Sequence, residues 1–329
     1  MKQIILLWAI VCFSACQNEI PFDIKNNPPK LAFHTLIECN IDTNEIYLSW
    51  TGRDRISPVN DPVINIYVNS ELKEQLINDR GQNETVNFYP NVIPHTTGVH
   101  FSPGDKVKVE AFVDNGKYHA WAEDIIPQPV EIEKVDTVTW TKHTWNGSEN
   151  YIRLKVKFTD NPNEKNYYRL TVQQNDTVFA ILGDTQNDTT LVFKNYQTLI
   201  TREDFVLTDG KPSFDENNEP FFQTENRCCI FDDTRLNGTY TMTVSWRKYD
   251  YYPGAKARSY ITVGLSAITE MQYYYLKAIN VRGYDADLDL LTQPVSFPDN
   301  IQGGVGFLGL SATSVQTLKL PDHIPEKQE

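Results

Sequence analysis

Three regularly spaced aspartates are the residues most readily combined into a metal site. Asp285, Asp287 and Asp289 lie two residues apart, so on a strand all three carboxylates would face one side. Ca²⁺ takes oxygen ligands of this kind and would relieve their mutual repulsion. The glycine and closing glutamate of an EF-hand loop are missing, which favours a solvated acidic surface. No cofactor is therefore predicted, and Ca²⁺ bound by these three residues is kept as the alternative.

Aromatic residues around a predicted hairpin give a second candidate site. Trp140 and Trp145 lie on either side of His143 in the stretch TWTKHTWNG. An exposed tryptophan ring can stack on a sugar or contact a protein partner, whereas an inward ring belongs to the core. The sequence leaves both possibilities open, so Trp140 and Trp145 are candidates for ligand stacking.

The common catalytic motifs do not fit this sequence. The stretch GVGFLG, residues 304–309, formally matches the dinucleotide-binding pattern, but an alternating segment follows it where a helix is required. Its glycines are therefore predicted to mark a bulged or closely approached strand. HExxH, GxSxG and CxxC are absent. No catalytic residue is predicted and the chain is expected not to be an enzyme; a hydrolase assembled from distant acids is the alternative.

A cysteine stands at the boundary between an apolar segment and a polar one. Residues 4–13 are nearly all apolar, a lysine precedes them, and Ser14 and Ala15 come directly before Cys16. The apolar run is shorter than the roughly 20 residues that a membrane-spanning helix needs. Small side chains suit a cleavage enzyme, so residues 1–15 are predicted to be a signal peptide.

The residues before Cys16 resemble a bacterial lipobox, with Phe13 where leucine is commoner. In that signal the thiol of Cys16 is linked to diacylglycerol, the chain is cut before it, and the new amine is acylated, for example by palmitate. Each buried methylene contributes about 0.8 kcal/mol, so three acyl chains would attach the protein firmly. Residues 16–30 are then a lipidated tether. An ordinary secretory signal with an incidental cysteine is the alternative.

Three further cysteines remain once residues 1–16 are set aside. Cys39, Cys228 and Cys229 are an odd number for an oxidising compartment. A bridge between neighbouring cysteines is strained, because their Cα atoms lie about 3.8 Å apart. Buried thiols are favoured; a bridge from Cys39 to one of the pair and a strained vicinal bridge are the alternatives.

The composition is that of an acidic, strand-rich protein. The chain has 43 acidic and 30 basic residues, a net charge of −13, so nucleic acid is not expected as a partner. It contains 17 tyrosines and 16 phenylalanines with many Val, Ile and Thr, which are residues that favour strands. The predicted fold class is therefore all-β.

Alternating segments indicate two β-rich domains. In KVKVEAFV, Val107, Val109 and Ala111 share one side, and the following DNG predicts a hairpin turn. About seven such runs predict an immunoglobulin- or fibronectin-like sandwich over residues 31–126. Two prolines make residues 127–131 the predicted linker.

The rest of the chain, residues 132–329, is predicted to form a second sandwich-type domain. In YIRLKVKFTD, Ile152, Leu154, Val156 and Phe158 alternate with basic residues. One helix is predicted near residues 266–282, with Ile268, Met271, Tyr275, Ala278 and Ile279 on its apolar face. Ser266 is its predicted N-cap and Gly283 its stop. This helix is expected to cover one open face of the second sheet.

Three stretches together resemble one family. They are CQNEIPFDIKNNPPKLAFHTLI at the start, FDDTRLNGTYTMTV in the middle, and LSAITEMQYYYLKA with PVSFPDNIQGGVGFLGLSA near the end. They are similar to the Bacteroidota lipoproteins labelled domain of unknown function 4249. The resemblance implies an outer-membrane lipoprotein, often encoded beside a TonB-dependent transporter, and supplies no catalytic residue.

The expected function follows from the lipid signal, the β-rich body and this resemblance. We expect an outer-membrane lipoprotein that is a non-enzymatic accessory or binding subunit of a TonB-dependent nutrient uptake system. Its expected partners are outer-membrane lipid, through the acyl anchor, and the transporter. A surface adhesin or assembly subunit is the alternative. Only Glu19 is acidic directly after Cys16, which leaves the face of the membrane open.

Overall fold

The computed structural model describes the body of the chain in eight segments. These are residues 28–51, 57–77, 94–144, 147–181, 188–208, 226–248, 256–282 and 297–321. Strands dominate these segments and a single α-helix accompanies them, so the all-β prediction is confirmed. Within the same segments, no helix combines the length and the apolar character that crossing a membrane requires.

Eight strands precede the predicted linker and eight follow it. The first eight are β1 (Leu31–Glu38), β2 (Asn44–Trp50), β3 (Ser57–Pro58), β4 (Val63–Val68), β5 (Glu71–Ile77), β6 (His95–Thr97), β7 (Lys106–Val113) and β8 (Tyr118–Ile125). The later elements are β9 (Ile132–Thr144), β10 (Gly147–Thr159), β11 (Tyr167–Ile181), β12 (Asp188–Tyr196), β13 (Ile230–Asp232), β14 (Thr239–Arg247), β15 (Lys256–Ile268), α1 (Glu270–Arg282) and β16 (Val305–Lys319).

The strands form one long sheet and two smaller sheets that pack against it. The long sheet has the order β12-β11-β15-β16-β1-β2-β3, with β13 beside β11 and β6 beside β2. The smaller sheets are β5-β4-β7-β8 and β14-β10-β9. Ala267 and Ala312 are direct cross-strand partners, yet Ala312 belongs to the first core and Ala267 to the second. Because directly paired side chains share a face, both cores lie on the same side of the long sheet.

The first core lies between the four-stranded sheet and the β1, β2 and β16 part of the long sheet. Val107, Val109 and Ala111 are fully buried in it, as their alternation predicts. The predicted hairpin turn joins β7 to β8, and Asp114, Asn115 and Gly116 all have positive φ. Local sequence therefore determines this hairpin, because its turn needs residues that tolerate the left-handed conformation.

The second core lies between the three-stranded sheet and strands β11 and β15. The predicted inward residues of β10 are all fully buried there: Ile152, Leu154, Val156 and Phe158. Trp246 is also buried, and its indole Nε1 donates to Gln174 Oε1 at 3.1 Å. This buried polar pair is satisfied internally, as a low-dielectric core requires.

Strand β16 belongs to both sandwiches. Its first half pairs in parallel with β1, and its second half pairs antiparallel with β15. Leu308 and Leu310 lie in the first core, whereas Leu318 packs against the second. The predicted linker at residues 127–131 does fall between β8 and β9, but the division into two domains there stays a prediction. The chain's last strand crosses that division.

The glycines before and within β16 lie against neighbouring backbone. A Cβ on Gly304, just before β16, would lie 2.6 Å from the carbonyl oxygen of Leu31, and one on Gly306, within β16, would lie 2.0 Å from that of Phe33. The prediction that this glycine-rich stretch is a closely approached strand is therefore confirmed.

The predicted start of the helix is wrong, and its predicted apolar face is right only in part. Ser266 lies within β15, and α1 begins at Glu270, where the Tyr273 N–H donates to Thr269 O at 3.0 Å. Of the predicted face, Ala278 is buried and Tyr275 stacks on Phe307 of β16, whereas Ile279 is exposed. Gln272, Tyr273 and Leu276 are buried instead, and Ile268 belongs to the end of β15. The helix packs on β16, β11 and β13, on the side of the long sheet away from both cores.

Candidate functional site

Most residues predicted from the sequence to be functional lie outside the described segments. These are Cys16, Trp145, Asp285, Asp287 and Asp289. The lipidation, Ca²⁺ and second stacking positions therefore stay predictions. No group of three or more metal-binding side chains occurs in the segments that the structure describes.

Trp140 lies on the solvent side of the three-stranded sheet. It is half-buried and stacks on Tyr151, its cross-strand partner, with ring centroids 4.7 Å apart and planes inclined by 16°. The guanidinium carbon of Arg153 lies 5.4 Å from the centre of the Trp140 ring. Arg153 is held in turn by Glu203 at 2.9 Å. Trp140 is thus a surface residue already engaged by neighbours, and its role in ligand stacking stays a prediction.

A surface cleft lies between the two sandwiches. Its volume is about 640 Å³, and strands β8 and β11 and the first turns of α1 form its walls. The polar and aromatic residues that line it are Glu123, Asp124, Lys165, Tyr167, Thr269, Glu270, Tyr274 and Asn300. Clefts between packed units are common positions for binding sites.

Tyr167 and Glu270 form a hydrogen-bonded pair in this cleft. The buried phenol of Tyr167 donates to Glu270 Oε1 at 2.5 Å. Burial, followed by the adjacent Glu270 carboxylate, raises the pKa of Tyr167 far above its ordinary value. Lys165 Nζ lies 4.9 Å from the centre of the Tyr167 ring. Tyr167 therefore stays a neutral donor that fixes the Glu270 carboxylate in place.

Asp124 lies in the same cleft, where the negative charge of Glu270 affects its ionisation. Burial and the negative charge of Glu270 raise the pKa of Asp124, although Asp124 Oδ1 accepts the Ile125 N–H at 2.8 Å. Two carboxylates that line one cleft can bind a hydroxyl-rich ligand or exchange a proton with it. The sequence did not reveal this group, because its members come from β8, β11 and α1 and share no local motif.

The three described cysteines are all at least half-buried. No disulfide joins them, and Cys39 and Cys229 are buried. Cys229 lies in the second core, whereas Cys228 packs against the cluster of Tyr167, Ile268 and Tyr273 beneath α1. The two neighbouring thiols thus point into different apolar regions, as expected for small buried hydrophobes.

Comparison with known proteins identifies the family. The family model described as Domain of unknown function (DUF4249) matches residues 17–317, and the chain belongs to this family. A search of curated proteins finds no match. Among solved structures, extracellular domains 3–5 of Drosophila OTK match at 9% identity and a TM-score of 0.16, covering 71% of this chain and 93% of that one. At that TM-score the similarity carries no argument.

Proposed function

We propose that this protein is a lipid-anchored outer-membrane binding subunit that acts as a non-enzymatic accessory of a TonB-dependent transporter. The observation that carries the proposal is the position of Cys16, directly after an apolar run of signal-peptide length and small residues. An all-β body whose first strand begins at Leu31 supports it. The tether of residues 16–30 would span at most about 50 Å, enough to hold the body at a barrel mouth.

The anchor and the partner are tested separately. Cells fed an alkyne-tagged palmitate should yield labelled protein, and Cys16→Ala should abolish the label, whereas the buried Cys39→Ala should keep it. Mass spectrometry of an unmodified Cys16 on a freely soluble product would contradict the anchor. A C-terminal tag should recover a TonB-dependent barrel from gently solubilised membranes. Recovery of lipidated protein with no barrel would contradict the accessory role.

A hydrolase is the second candidate, because the Asp124 and Glu270 carboxylates line the same cleft. The neighbouring Tyr167 phenol is a neutral donor at its edge. Activity against glycan and peptide libraries that Glu270→Gln removes, and Glu203→Gln does not, would replace the binding role by a catalytic one. Glu203 is a suitable control because it pairs with Arg153 on the second sandwich, away from the cleft's lining.

A further inference from the structure

The long sheet has a broad outer face beyond the helix, on the side opposite the cores. Cross-strand pairing places Tyr196, Gln173, Thr262 and Thr317 in one row. The next row holds Lys194, Asn175, Tyr260 and Lys319. Tyr196 is 73% exposed and Tyr260 is 37% exposed. These two rows, together with Arg258, which lies two residues before Tyr260 on β15, form the outer face.

The outer face is regular. The pairings of β11 with β15 and of β15 with β16 run through these rows without a shift in register. The Thr262 and Thr317 hydroxyls meet across the strands at 3.2 Å. Four strands at the usual spacing make the face about 15 Å wide. A face of that width has room for an extended chain that lies across the strands.

The charge of the outer face is opposite to that of the whole chain. The protein has 43 acidic and 30 basic residues, yet the charged side chains in the described rows are all basic: Lys194, Lys319 and Arg258. Lys194 and Arg258 are exposed. A local positive potential on an acidic protein favours an anionic partner.

The uncharged side chains of the outer face suit a carbohydrate. Gln173, Asn175, Thr262 and Thr317 can both donate and accept hydrogen bonds, as sugar hydroxyls do. Tyr196 and Tyr260 offer exposed rings with an apolar face and a polar tip. Val192 and Val315 are exposed apolar residues on the same side of the sheet, and the two polar rows lie between them.

We propose that the outer face binds an acidic polysaccharide. Its carboxylate or sulfate groups pair with Lys194 and Arg258, and its sugar rings lie against Tyr196 and Tyr260. Arg258 is suited to this role because its planar guanidinium binds carboxylate or sulfate through two hydrogen bonds. The proposal names the cargo class of the binding subunit and in that sense rests on the proposed function. Binding by the isolated protein tests it without any transporter.

The test uses the full lipidated chain in detergent at 150 mM salt. Its affinity for polygalacturonate, for dextran sulfate and for neutral dextran is measured by calorimetry. The double variant Lys194→Ala/Arg258→Ala should lose at least tenfold in affinity for an acidic polymer, and Tyr196→Ala at least threefold. The control Lys117→Ala/Lys155→Ala removes two exposed basic residues elsewhere and should stay within twofold. Unchanged urea midpoints confirm that each variant is folded.

Three outcomes would overturn the proposal. Acidic polymers could bind no better than neutral dextran, or the double variant could bind them as well as the control does. Vesicles of anionic phospholipid could also bind in a Lys194- and Arg258-dependent way while neither acidic polymer binds. If the acidic polymers bind as expected but no barrel is recovered from membranes, the transporter role fails and the polysaccharide site stands.

Discussion

Gly306 and Phe33 lie backbone against backbone where β16 pairs in parallel with β1. A Cβ on Gly306 would lie 2.0 Å from the carbonyl oxygen of Phe33, and Gly306 has a φ of +125°. Side-chain-bearing residues rarely adopt that conformation. This contact therefore requires glycine on two independent grounds, at the point where the last strand joins the first.

Replacing Gly306 by alanine should destabilise the whole body. Strain at positive φ and the clash with Phe33 O together should cost at least about 2 kcal/mol in the free energy of unfolding, measured by urea denaturation. Gly98→Ala is the matched control, because Gly98 is exposed and a Cβ there meets nothing within 4 Å. Equal midpoints for the two variants would show that β1 and β16 do not approach this closely.

Glu110 should make stability depend on pH in the acid range. Burial alone would raise the pKa of Glu110, but its hydrogen bond to Lys108 at 2.5 Å and the lysine charge outweigh burial and lower it. A lowered pKa in the folded state gives stability that is complete above the ordinary pKa of about 4.3 and is lost as pH falls through the folded value.

Glu110→Gln should therefore flatten the curve of unfolding free energy against pH below about pH 5. At neutral pH it should cost about 1 kcal/mol. Glu71→Gln is the control, because Glu71 pairs with Lys73 at 2.6 Å on an exposed surface where such pairs contribute little. An unchanged slope in Glu110→Gln would mean that the ion pair with Lys108 does not persist in solution.

Tyr167→Phe should destabilise the contact between α1 and the long sheet. The substitution removes the hydroxyl that donates to Glu270 and leaves the ring in its buried place. We therefore expect the free energy of unfolding to fall by about 1.5–3 kcal/mol. Tyr196→Phe removes a hydroxyl from a largely exposed ring and should change stability by less than about 0.5 kcal/mol. Thermal unfolding followed by circular dichroism distinguishes them; matching curves would contradict the buried hydrogen bond.

The described cysteines should be protected from alkylation in the native protein. Cys39 and Cys229 are buried, and burial raises the pKa of the Cys39 and Cys228 thiols, which lowers their thiolate fraction. Iodoacetamide should leave Cys39 and Cys229 unmodified until urea is added, with Cys228 reacting slowly. Peptide mapping without reductant gives the decisive reading: a peptide bridged between any two of these cysteines would refute the arrangement.

Strands with one buried face were predictable from sequence because their period is local. Val107 and Val109 in β7, and Ile152 and Leu154 in β10, alternate with charged residues and are buried as predicted. The turn at Asp114 to Gly116 was equally predictable, since its residue types tolerate positive φ. In such segments each residue's environment depends on its immediate neighbours.

Features built from distant parts of the chain were not predictable in this way. The Tyr167–Glu270 pair joins residues that are 103 apart in sequence, and no local pattern relates them. The predicted helix failed at Ser266 for a similar reason. That residue continues a strand because Arg169 and Thr313 pair with it on either side. Tertiary pairing there overrides the helical spacing of the apolar residues.

Strand β16 has a consequence for how the protein is made. The Ser311 hydroxyl donates to the carbonyl of Ile37, 274 residues away in sequence. Strand β1 therefore cannot complete its contacts until β16 has been made. Because β16 pairs with both β1 and β15, the long sheet closes only after β16 has been made, and the earlier strands must be kept from aggregating until then. A chain truncated before β16 would leave an unpaired edge on both β1 and β15, which would expose it to aggregation and proteolysis.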